Sequence, residues 1–106
     1  MNMKLADLSV PLAALRLLAA EHPTLPAVDV DITPLFPCRL ALCIHDHFGA
    51  FEAWRAALGI SPESVTCSEL SGGRTRALKA ATTYAGADLT LAAYGDVAAP
   101  QVGEGR

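Results

Sequence analysis

The chain has 106 residues, 52% of them hydrophobic and 18% charged, a composition that excludes general disorder and predicts one domain built on a single core. Its formal net charge of −3 and sequence pI ≈ 5.4 exclude a global electrostatic attraction to nucleic acid, leaving only local basic patches to consider. Much of the apolar fraction is alanine and only 6% of residues are aromatic, so few large side chains carry the core, and either a modest stability or an oligomer that buries more surface is expected.

The first predicted element is a helix in which Leu5, Leu8, Leu12, Leu15 and Ala19 share one stripe, with Ser9 as N-cap, Pro11 in the first turn and Pro23 as the stop. Asp7 and Arg16 interrupt this stretch and no small-residue cleavage pattern accompanies His22-Pro23, so it does not read as a secretory signal. No run approaches the ~20 apolar residues of a membrane span, and a cytoplasmic protein without membrane association is expected. After the connector Pro23 to Pro26, Val28, Val30 and Ile32 alternate with Asp29 and Asp31, predicting a short strand whose acidic face suits a sheet edge.

The prolines between Thr33 and Pro37 turn the chain into its clearest strand, where Cys38, Leu40, Leu42 and Ile44 alternate with Arg39, Ala41, Cys43 and His45. Asp46 is the expected cap of a second helix that gathers Phe48, Phe51, Trp54, Arg55 and Leu58 on one face and ends at Gly59 followed by Ile60. Phe51 and Trp54 read as core. Three further runs, Val65 to Leu70, Arg74 to Tyr84 and Ala87 to Tyr94, are separated by Ser71-Gly72-Gly73 and Ala85-Gly86 and predict a meander of hairpins. Residues 1–98 therefore form one α+β domain, a two-layer sandwich of order α-β-β-α-β-β-β with both helices on one face of a mainly antiparallel sheet. The tail 99–106 is polar, glycine-containing and expected to fray.

Few side chains remain for chemistry. Cys38, Cys43 and Cys67 are odd in number, lack paired spacing and read as small buried hydrophobes. His45-Asp46-His47 could offer two metal ligands, with His22 or a carboxylate as third, but spacing places only two of the three or four ligands a site needs. Ser71-Gly72-Gly73-Arg74 lacks the Lys-Ser/Thr of a phosphate-binding loop and reads as a turn. Arg74, Arg76 and Lys79 form the densest basic run, with Arg74 and Arg76 on one side of their strand and Arg39 as a further member. Asp29 and Asp31 read as solvent-facing, and the sequence shows no nucleophile elbow, dinucleotide fingerprint or Cys-x-x-Cys.

One surface stands out. With Leu40, Leu42, Ile44, Val65, Cys67, Leu78, Leu89 and Leu91 toward the helices, the opposite face carries Ala41, Cys43, Thr66, Ser68, Ala77, Ala81, Thr83, Thr90, Ala92 and Tyr94. A bare antiparallel face ordinarily alternates to charged residues, so small neutral side chains here predict a cover, either a partner protein or a second copy.

The run Phe51-Glu52-Ala53-Trp54-Arg55-Ala56-Ala57-Leu58-Gly59-Ile60, with Gly73-Arg74-Thr75-Arg76 and Tyr84-Ala85-Gly86-Ala87, resembles small proteins of high-GC actinobacteria, some carried near phage-like or plasmid-like elements. The resemblance spans about the C-terminal two thirds and implies a structural pattern without an activity, a cofactor or a site residue.

The expected function is a non-enzymatic binding module, accessory or regulatory, acting by protein–protein contact or self-association through Ala41, Thr66, Ala81, Thr83, Thr90, Ala92 and Tyr94, with Arg74 and Arg76 as a secondary contact. The alternative is a nucleic-acid-associated regulator touching phosphates through Arg39, Arg74, Arg76 and Lys79, and the third reading is a metal-dependent enzyme using His45 and His47. No cofactor is expected.

Overall fold

The computed structural model describes residues 3–70 and 72–96; the tail expected to fray, and Ser71 of the predicted turn, lie outside them. The elements run α1 (Ser9–Glu21), β1 (Asp29–Asp31), β2 (Arg39–His45), α2 (Phe48–Leu58), β3 (Thr66–Leu70), β4 (Thr75–Tyr84) and β5 (Ala87–Asp96), with 3-10 turns at Leu5–Leu8 and Pro62–Ser64. The strands form one mixed sheet of order β1-β2-β5-β4-β3. Three pairings are antiparallel, but the central strand β5 runs parallel to its neighbour β2, with Leu42 beside Leu91. The sheet is thus mainly antiparallel, as expected, with one parallel pairing that the sequence pattern does not foresee. Alternation along a strand fixes its faces and says nothing about the direction of its neighbour.

Both helices pack over β2 and β5 on one face, where Leu40, Leu42, Ile44, Leu89, Leu91 and Ala93 meet Ala14 and Leu18 of α1 and Ala50, Phe51 and Trp54 of α2. The stripe of α1 differs from expectation. Leu5, Leu12 and Ala19 point outward, while Pro11, Ala14 and Leu18 are buried, because a small residue at Ala14 lets the helix close onto the sheet. Ser9 lies inside the helix and does not cap it; the turn before it is fastened by the Lys4 N–H donating to Asp7 at 2.8 Å.

The second helix ends as its sequence predicts. Gly59 takes φ 72°, its N–H donates to Ala56 O, and the following Ile60 N–H donates to Arg55 O, closing the last turn in a left-handed cap. Its start is corrected: His47 Nδ1, and not Asp46, accepts the Ala50 N–H at 3.0 Å. Asp46 instead adopts φ 59° and donates its own N–H to Tyr94 O at 2.7 Å, a left-handed bend that turns strand into helix.

Ala85 (φ 51°) and Gly86 (φ 82°) make the two-residue turn between β4 and β5, the paired positive dihedrals that match the twist of a tight hairpin. At this end the Tyr84 hydroxyl donates to Glu21 at the close of α1, and that bond to a carboxylate, with smaller help from desolvation, pushes the Tyr84 phenol up to about 12 from an ordinary value of about 10. A raised phenol pKa means that the contact stabilises the fold fully below about pH 10 and is lost as pH climbs through about 12. In a Tyr94→Phe background, absorbance titration at 295 nm should therefore show Tyr84 ionising late, and Glu21→Gln should bring it back down. Ionisation at the ordinary value with Glu21 intact would mean that the link between α1 and the hairpin does not form in solution.

Candidate functional site

The pairing register sorts every strand residue to a face. On the side away from the helices, one row crosses the sheet through Asp29, Cys43, Ala92, Lys79 and Thr66, and the next through Asp31, Ala41, Thr90 and Ala81. Flanking rows hold Arg39, Asp88 and Thr83 at one end, and His45, Tyr94, Ala77 and Ser68 at the other. The predicted membership of this face is thus reproduced, including Thr83, Thr90 and Tyr94. No described element covers it, and twist makes it an open concavity of 620 Å³ with a floor of Ala41, Cys43, Thr90 and Ala92.

Its rim is more polar than its floor. The Lys79 ammonium sits 5.9 Å from the Tyr94 ring centroid and the Arg39 guanidinium 3.7 Å from that of Phe36, distances at which a cation is held by a ring face. His45 stacks beside Tyr94 with centroids 6.1 Å apart. Its Nε2 lies 3.5 Å from Asp29 Oδ2 and 3.4 Å from Cys43 Sγ.

This Asp29-Cys43-His45 grouping was not legible in the sequence, because it depends on β1 lying beside β2 in one particular register. It does not make a nucleophile. Both contacts use the same ring nitrogen, so His45 cannot relay a proton between the other two. Desolvation, and then the Asp29 charge, hold the Cys43 thiol above its ordinary pKa, whereas a reactive cysteine needs the thiolate favoured.

The other sequence-derived sites disperse. His45 belongs to the open face while His47 caps α2, and His22 ends α1; among the described residues no group of three His, Cys, Asp or Glu side chains is placed to hold a metal ion. Arg39 and Lys79 lie on the open face, Arg76 on the opposite one, and Arg74 in the turn before β4 instead of on the strand beside Arg76. Arg39 pairs with Asp88 at the start of β5 and Arg76 with Gly95 near its end, so the four cations form no common patch. The expectation of three buried cysteines is also corrected. Cys38 and Cys67 are exposed and Cys43 is half-buried, since Cys38 precedes β2 and Cys67 sits on the edge strand β3, beyond the reach of both helices.

No described helix is long and apolar enough to cross a membrane. No protein-family model, curated protein or solved structure matches this chain.

Proposed function

We propose that the protein is a small binding module that acts by protein–protein contact through the open face of its sheet. The observation that carries this reading is the contrast between floor and rim. Ala41, Cys43, Thr90 and Ala92 line the adjacent strands β2 and β5 without one charge, while Asp29, Asp31, Arg39 and Lys79 surround them. A neutral centre with a polar margin is the ordinary anatomy of a recognition surface, and a face meant only for water gains nothing from such a centre.

Thr90→Arg is the direct test. Thr90 is half-buried between Ala41 and Ala81, so a long cation there leaves the helix-covered core untouched and projects into the approaching partner. The far-ultraviolet dichroism and melting curve should stay close to those of the parent, while association, whether with itself or with a partner retained from the native host, should be lost. Association that survives Thr90→Arg unchanged would place the contact elsewhere.

A further inference from the structure

We infer that the partner on this face is a second copy of the same chain, stacked sheet to sheet about a two-fold axis that runs parallel to the strands between β2 and β5. The inference rests on the binding-face reading and adds to it an occupant and a geometry. Two in-plane axes stack such faces with their strands aligned, the packing of a sandwich. An axis perpendicular to the strands lays β1 on β1 and so sets the acidic pair Asp29 and Asp31 against itself, which like-charge repulsion disfavours. An axis parallel to the strands keeps each row opposite its own row and reverses strand order, so that β2 covers the other copy's β5 and β1 covers its β4.

The consequence follows from the register alone. Asp29 and Lys79 share a row, so Asp29 of one copy faces Lys79 of the other. Arg39 and Asp88 share another, so these also meet across the axis. Symmetry repeats each pairing, and four opposite-charge contacts arise from one placement of the axis. Between them the small floors meet, Cys43 on Ala92 and Ala41 on Thr90, which allows close approach in the aligned packing of twisted sheets at about −30°. Within one chain Asp29 and Lys79 are three strands apart, or about 14 Å at ~4.8 Å per strand, too far to satisfy each other directly.

The covered patch, four strands wide, measures roughly 19 Å by 20 Å, which puts it among the small interfaces and predicts a dimer in visible equilibrium with monomer. Sedimentation velocity from about 1 to 200 µM at low salt should show that equilibrium, weakened by added salt as screened ion pairs require. Lys79→Glu and Asp29→Lys should each weaken self-association at least tenfold. The two weak variants mixed together should recover it, because every Asp29/Lys79 contact in the heterodimer again joins opposite charges, and the double variant should recover it as well. Cys43 should alkylate more slowly in the dimer than in either single variant.

A chain that stays monomeric across this range overturns the second copy, and the binding-face reading then stands or falls on Thr90→Arg against the native partner. Self-association that is lost in Thr90→Arg but never rescued by mixing keeps the face and overturns this axis. Self-association indifferent to Thr90→Arg overturns both.

Discussion

Trp54→Ala is expected to lower the unfolding free energy by about 3–5 kcal/mol, the range for a large aromatic removed from a packed core. The indole is only 6% exposed and packs within the cluster that α1 and α2 build against β2 and β5. It also does something a smaller apolar residue cannot, since its N–H donates to the Pro26 carbonyl at 2.8 Å. That bond fastens the connector leading into β1, so the variant loses a core side chain and the anchor of an edge strand together. Chemical denaturation followed by circular dichroism reads the first loss. A midpoint unchanged from the parent would mean that α2 does not present this side chain to the sheet.

Leu91→Asp should leave no cooperative folded state. Leu91 is 1% exposed and lies opposite Leu42 and Ala80 under the helices, where a carboxylate would find neither water nor a cation. The cost of burying it, several kcal/mol even when it becomes protonated, rivals the whole stability of a domain this size, about 5–15 kcal/mol. The preceding residue makes the comparison informative, because Thr90→Arg on the other face is expected to melt like the parent. If Leu91→Asp also melted like the parent, the faces of β5 would be exchanged.

Much of the sheet was readable because period-two alternation is unambiguous wherever one face is dry. Leu40, Leu42 and Ile44 could only go together, and once they went inward Ala41, Cys43 and His45 had to go outward. The α1 stripe was less determinate, since leucines at positions 12, 15, 17 and 18 nearly encircle the helix and the residue in closest packing is an alanine. At the start of α2 two adjacent polar residues competed for one capping role. Asp46 has the better intrinsic preference, but its backbone is committed to the bend and its N–H to Tyr94, which leaves the job to His47. Alternation puts Cys67 on the helix side of its strand, beside Leu78, and it is nonetheless exposed, because burial depends on how far the helices extend and not on parity alone. The Asp29-Cys43-His45 contacts and the charge rows across the open face follow from strand order, a long-range property that no local pattern encodes.

Strand order also bears on how the molecule comes to exist. The last described strand occupies the middle of the sheet, where β5 supplies hydrogen-bond partners to both β2 and β4. Until it arrives, the segment from α1 to α2 and the β3-β4 hairpin have no shared core, and each presents an open edge able to pair with a neighbouring chain. The β2–β5 pairing is long-range in sequence, and topologies that depend on such closure belong to the slower class of small domains, because loop entropy is spent before the central contacts form. Any fragment ending before Ala87 is therefore not a smaller version of this fold but two halves without a seam.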